Sequence, residues 1–170
     1  MNGWLHDKFR QISLQADKRI SATWKVKSFG LFKIPLIFIV NPKVILLTDK
    51  ECKIKIPLSR ITKNHANCMY FGALAIGADL AGGLLAMQAF KNKPIHFLFK
   101  DVKGDFLKRC ESDAIFYCSD GESISKAVDQ AIQTKERVNI PMNIKVFVPD
   151  KLGEETCALF TLTLSIKYKL

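Results

Sequence analysis

Asp79 is the residue least easily explained as mere scaffolding. It falls in a run, residues 70–90, whose small and apolar side chains occupy every helical face, among them Ala75, Ile76, Ala78, Leu80 and Gly83. No lysine or arginine lies within four residues on either side. An unpaired carboxylate in an apolar helix is costly, so one that is kept is a functional candidate. The competing reading is structural: Asp79 caps a helix that restarts after Gly77, or meets a strand amide.

The second element is the junction Asn64-His-Ala-Asn-Cys-Met-Tyr-Phe-Gly-Ala73. The first turn of a helix leaves backbone amides unpaired, and the helix dipole makes that end positive. Amides near Phe71 and Gly72 could polarise a substrate carbonyl as an oxyanion hole does, and Gly72 permits close approach of a ligand. Asn64, His65 and Asn67 could orient water or the carbonyl, or simply cap the helix and fill a polar turn. Gly72 and Asp79 share a face but stand about 10 Å apart along the axis. That is too far to act on one carbonyl. Two antiparallel copies of the helix would join Asp79 of one subunit to the Gly72 end of the other, which predicts an obligate dimer with composite sites.

Other chemistries find less support. Cys68 and His65 suggest a cysteine nucleophile, but no third orienting group accompanies them. Ser123 and Ser125 lie in no nucleophile elbow, and the glycines near Gly72 form no phosphate-binding loop. The five cysteines are scattered without a CxxC pair. They read as reduced thiols in a cytoplasmic protein, with no zinc site.

The elements that must position these residues follow from periodicity. Residues 4–28 predict a helix docked through Leu5, Phe9, Ile12, Ala16, Ile20 and Trp24, with lysines and arginines opposite. The same helix could instead serve as an arm touching anionic lipid or a partner. Two strands are expected within 43–58, then a polar loop over 59–68, then the apolar helix. Gly77, Gly82 and Gly83 each cost that helix roughly 1 kcal/mol against alanine, which points to close approach of sheet, helix or ligand. Strands are expected over 95–102 and 106–119, joined through Lys103-Gly-Asp105. An amphipathic helix over 121–137 carries Ile124, Val128 and Ile132. Strands over 138–148 and 156–168 complete the chain, the last alternating Ala158, Phe160, Leu162, Leu164 and Ile166 against more polar neighbours. Strands without a helix after nearly every one exclude a doubly wound parallel fold. The expected class is α+β: a long central helix wrapped by a six-stranded antiparallel sheet.

Length and charge set the outer bounds. A chain of 170 residues suffices for one domain with a core. Residues 1–170 read as a single domain, 1–41 a helical extension and 42–170 the core. With 26 basic and 16 acidic residues, the formal net charge of +10 favours an anionic partner. The apolar stretch 29–47 is interrupted by Lys33, Pro35, Asn41, Pro42 and Lys43, so no spanning segment and no stable membrane insertion are expected. The basic residues are spread along the chain without an aromatic RNA-binding run, so nucleic acid is not an expected partner.

Asn64-His65 followed by Met69-Tyr-Phe-Gly-Ala-Leu-Ala-Ile-Gly-Ala-Asp79 resembles the core of hotdog-fold thioesterases of the phenylacetate-pathway type, and within them the DUF4442 subgroup. The pattern there is an Asn/His loop, His-Gly-Gly opening the central helix, and Ala-Asp seven residues after the second glycine. Gly72 and Asp79 match that spacing, whereas Tyr70 stands for the histidine and Phe71 for the first glycine. The resemblance implies hydrolysis of an acyl-CoA or acyl-carrier thioester without metal or cofactor. Asp79 would act as general base on water, or less readily as nucleophile. The amides of Phe71 and Gly72 would hold the oxyanion, with Asn64 and His65 beside the reacting centre. Asn67, Tyr70 and Gly83 would contact substrate. A homodimer, or a dimer of dimers, is implied as well. The alternatives are a non-catalytic acyl-binding module, motivated by Tyr70 and Phe71, and an acyl-thioester hydratase or dehydratase.

Overall fold

The computed structural model describes the backbone of residues 3–169 and the side chains of residues 16–169. In chain order the elements are α1 (Gly3–Lys33), α2 (Pro35–Ile39), β1 (Lys43–Leu47), β2 (Cys52–Ile56), α3 (Phe71–Ala89), β3 (Ile95–Phe106), β4 (Ala114–Cys118), α4 (Gly121–Thr134), β5 (Val138–Phe147), α5 (Pro149–Leu152) and β6 (Thr156–Tyr168). The six strands form one antiparallel sheet in the order β1-β2-β4-β5-β6-β3.

The sheet wraps one side of α3, which packs on β2, β4, β5 and β6. Small residues make that contact close. Gly77 lies under the Phe116 ring, where an added Cβ would come within 2.3 Å of it. Phe116, Leu85, Ile54 and Ile144 are fully buried around this contact. Each such side chain contributes about 1.5–3 kcal/mol by leaving water. α4 adds Ile124 and Val128 to the same core, at the spacing the sequence predicts. It ends at Lys135, whose φ of 61° is left-handed and stops the helix short of the expected 137.

α3 is also long and apolar enough to cross a membrane. Half of that apolar surface is instead buried against the sheet. Apolar side chains on every face suggest a helix buried all round, but a sheet covers only one side of α3. Phe71 and Met87 are exposed on the other.

Three further expectations are corrected. The Lys103-Gly-Asp105 connection is strand: β3 runs through it, pairing Lys103 with Thr161 and Gly104 with Phe160. The strand expected over 106–119 begins only at Ala114, and residues 107–113 are loop. Finally, α1 docks through a different face. Val26 and Gly30 are buried and Thr23 accepts the Val44 amide at 2.9 Å, whereas Ala16, Ile20 and Trp24 face solvent. The side chains of Leu5, Phe9 and Ile12 lie outside the described residues.

The Gly77–Phe116 contact yields a stability test. Gly77→Ala should lower stability despite alanine's better helix propensity, by on the order of 1–3 kcal/mol in urea denaturation, because the buried ring must shift. An unchanged or raised midpoint would show that the ring gives way freely.

Candidate active site

Two cavities flank α3 and divide the candidate residues between them. The larger, about 990 Å³, lies between α3, α1, α2 and β3. Asp79 and Gly83 stand on its wall one helical turn apart, on the side of α3 that the sheet leaves bare. Leu80, Leu84, Phe97 and Phe99 make much of the rest apolar. Lys18, Lys25 and Lys91 reach it from its edges. The smaller, about 520 Å³, is lined by Asn64, His65, Tyr70 and Phe71 from the helix entrance, and by Phe106, Lys108 and Arg109 from the end of β3 and the loop after it. Among the described residues none lines both cavities.

Asp79 is therefore not buried in the core, as its apolar neighbours suggest. Its side chain is exposed in the isolated chain, but to a cavity rather than to an open surface. Crowding by the apolar walls still penalises the ionised form, and this burial raises the carboxyl pKa above the ordinary aspartate value. α3 is continuous through Gly77, which removes the reading of Asp79 as the cap of a second helix.

The entrance to α3 is held by backbone. Met69 donates to the Cys110 carbonyl and Tyr70 to that of Thr62, both at 2.8 Å. Tyr70 is extended and gives no side-chain cap. The first-turn amides of Phe71 and Gly72 thus point out of the helix without an intrahelical acceptor. The Tyr70 ring packs beside Gly72, where a Cβ would meet it at 2.5 Å, and tilts against the Phe71 ring at 4.8 Å. An alanine at position 72 would oblige the half-exposed Tyr70 ring to move aside.

The preceding loop spends much of its polarity on itself. The Asn64 side-chain oxygen accepts from the Ala66 amide at 2.9 Å, and its NH2 contacts the Cys68 sulfur at 3.3 Å. This is the turn-filling role of asparagine. Asn67 has φ 58° and accepts from Lys63, outside both cavities. His65 is exposed at the smaller cavity. Among the described residues no group of three His, Cys, Asp or Glu side chains gathers to hold a metal. The cavity lysines and Phe97–Phe99 are functional candidates that sequence reasoning missed. Only the tertiary approach of α1 and β3 to α3 reveals them, since nothing in their local spacing marks them.

A hotdog fold, with an acidic residue on the bare side of the central helix and open amides at its start, defines the class. Solved structures agree on the fold. A Pseudomonas aeruginosa protein named a probable thioesterase superposes with TM-score 0.74 at 18% identity, covering 86% of this chain and 95% of that one. A Staphylococcus aureus thioesterase variant gives 0.60 at 13%, covering 78% and 98%. A Haemophilus influenzae thioesterase gives 0.54 at 14%, covering 79% and 84%. At such identities the likeness is one of fold. The chain belongs to the DUF4442 family, a domain of unknown function, whose model matches residues 22–163. No curated protein matches the chain.

The raised Asp79 pKa makes stability depend on pH. The folded protein holds this proton to higher pH than the unfolded chain, so the group's contribution falls as pH rises from the unfolded value to the folded one. Above both, the ionised carboxylate leaves a constant penalty. Asp79→Asn should therefore be more stable than wild type at neutral pH, and the advantage should vanish below about pH 3.5. Urea midpoints at the two pH values check this. Equal midpoints at neutral pH would mean that the carboxylate is freely solvated.

Proposed function

We propose that the protein hydrolyses an acyl-CoA or acyl-carrier thioester at a site shared between two subunits. The observation that carries this reading is a carboxylate of α3 on a largely apolar stretch of cavity wall, with Asp17 of α1 the other acid lining the cavity, and with open helix-start amides seven residues away on the same helix. Its structural neighbours include thioesterases.

In this reading Asp79 takes a proton from water as the water oxygen bonds to the thioester carbonyl carbon. The oxyanion that forms is held by the amides of Phe71 and Gly72. Collapse breaks the carbon–sulfur bond, and the thiolate leaves with the proton carried by Asp79. The products are a carboxylic acid and a free thiol. The apolar cavity would take the acyl chain. Lys18, Lys25 and Lys91 would meet the negative charge of the carrier. His65, Asn64 and Tyr70 would bound the substrate near the oxyanion end, and Gly83 would leave room beside Asp79; Asn67, outside both cavities, drops out of the expected substrate contacts.

One chain separates the two halves of this site by about 10 Å. β3 supports a way of joining them. It is an edge strand of 12 residues, and Leu98, Val102 and Phe106 on it are exposed. A long open edge is a template for pairing with another strand. Leu98 lines the larger cavity and Phe106 the smaller. Antiparallel pairing of two copies of β3 about a two-fold axis near Val102 would set Leu98 against the partner's Phe106. Each Asp79 cavity would then adjoin the partner's helix entrance. Such a homodimer completes two sites, and a dimer of dimers would leave that pairing unchanged.

The Tyr70 ring beside Gly72 favours a second reading, an acyl-binding module without turnover. Thiol release from acyl-CoAs of graded chain length, by wild type and Asp79→Asn side by side, separates the two. Hydrolysis should fall about 100- to 10,000-fold in Asp79→Asn. The wild-type rate should rise with pH along a limb whose midpoint lies above the ordinary aspartate value, because burial raises this pKa. Chain-length-dependent melting shifts with no Asp79-dependent thiol release would establish binding alone.

Gly83 offers an independent check. A Cβ there meets only Phe99, at an ordinary 3.8 Å. Gly83→Ala should raise stability by about 0.5–1 kcal/mol while lowering turnover, because the new methyl intrudes beside Asp79. Unchanged turnover would remove Gly83 from the site.

A further inference from the structure

The side of α1 that faces away from the body is apolar and basic. Ile20, Trp24 and Leu31 recur at spacings of four and seven, so they form one line along the helix, with Lys27 between them. All three are exposed, Trp24 by 66%. Apolar exposure continues through the end of α1 and round the corner into α2: Phe32 at the end of α1 is 79% exposed and Leu36 in α2 61%. Of the eighteen large apolar side chains exposed among the described residues, nine fall within residues 20–39, and seven of these, all but Phe29 and Ile34, line neither cavity. Single exposed apolar residues are ordinary, but a contiguous set of this size marks an interaction surface.

The corner that presents these residues is firmly built. A Cβ at Gly30 would lie 2.8 Å from the Phe38 backbone nitrogen, so α2 rests directly on α1. Ile34 donates to the Gly30 carbonyl at 3.1 Å, and Ile37 is buried beneath. Phe32 and Leu36 are therefore held outward by packed backbone.

Charge selects the occupant. Between Asp17 and Asp49 the chain carries six basic residues, Lys18, Arg19, Lys25, Lys27, Lys33 and Lys43, and no acidic one. A second copy offering the same face would set like charges against one another, which disfavours self-association there. Aromatic and aliphatic side chains interleaved with lysines are what an anionic bilayer interface binds: rings and methyls enter the headgroup boundary, and ammonium groups meet lipid phosphates.

We propose that the outer face of α1 together with the α1–α2 corner is a peripheral docking surface for an anionic lipid bilayer. It is distinct from the thioester site, because Trp24, Leu31, Phe32 and Leu36 line neither cavity. The docked protein lies on the surface and spans nothing.

The test is co-sedimentation of the full-length protein with vesicles of phosphatidylcholine alone and of mixed phosphatidylcholine and phosphatidylglycerol. Binding is expected only to the mixed vesicles, weakening as salt is raised. Trp24 emission should shift to the blue on binding. Phe32→Ser/Leu36→Ser and, separately, Lys27→Glu/Lys33→Glu should each reduce binding at least about tenfold, with melting temperature and thioester turnover unchanged. Equal binding to neutral vesicles, no binding to either, or full binding by both variants would overturn the proposal. So would a change in sedimentation of the lipid-free Phe32→Ser/Leu36→Ser protein that left vesicle binding intact, since the face would then be a contact between copies. Loss of turnover in Asp79→Asn with vesicle binding retained would confirm that the two surfaces act independently.

Discussion

One sheet can wrap only one side of a helix. In this chain that limit decides where everything else lies. The sheet takes the side of α3 that carries Gly77, Ala78, Ala81 and Leu85, and the closeness of the contact comes from the absence of a side chain at Gly77. The opposite side is left to α1, α2 and the end of β3, which stand off from it and enclose a cavity. A carboxylate on the wrapped side would have to be neutral or paired. On the bare side Asp79 keeps an apolar setting that raises its pKa, yet its oxygens stay within reach of a molecule entering the cavity. The position of Asp79 on α3 thus leaves its carboxylate reachable from the cavity rather than sealed in the core.

The same limit leaves β3 half used. It is bonded to β6 on one side and open on the other, and it runs from the wall of the larger cavity to that of the smaller. An open edge of 12 residues is hard to keep from pairing. Among the described residues this open edge is also the only strand that lines both cavities. Association and completion of a shared site would then be one event, and the protein would need no separate device to bring the halves together.

How much of this was legible in the sequence depended on whether local pattern or tertiary covering decided the matter. The existence of α3, the buried stripe of α4 and the alternation of β6 are local, and each appeared where its spacing indicated. The course of β3 was not, because Lys103-Gly-Asp105 has turn composition. The strand continues because an edge tolerates charge and because Gly104 lies beneath the Phe160 ring, where a Cβ would come within 2.9 Å. The docked face of α1 was misread for a related reason. Periodicity states which residues share a face but not which face is covered, and the covered one uses small residues, Thr23 and Gly30, that permit close approach. For Asp79, an all-apolar helix contains no sign of which side the sheet will choose. The carboxylate was legible as anomalous but not as exposed. Asn64 was legible only as polar: its closure of the 64–68 turn depends on a hydrogen-bond geometry that residue type does not announce.

The misread face of α1 and the cavity beneath it are one fact seen from two sides. From α1, the larger cavity receives mainly small or charged residues, Ser21, Ala22, Lys18 and Lys25 among them, while Ile20 and Trp24 turn outward. Rotating the helix to bury Ile20 and Trp24 would gain roughly 1.5–3 kcal/mol for each large side chain taken from water. It would also bring those side chains into the space over α3 beside Asp79. The chain keeps instead the arrangement with an open cavity inside and an apolar line outside. That arrangement forgoes burial that folding alone would favour. Both surfaces are thereby left open, the cavity to a molecule that enters it and the apolar line to one that covers it.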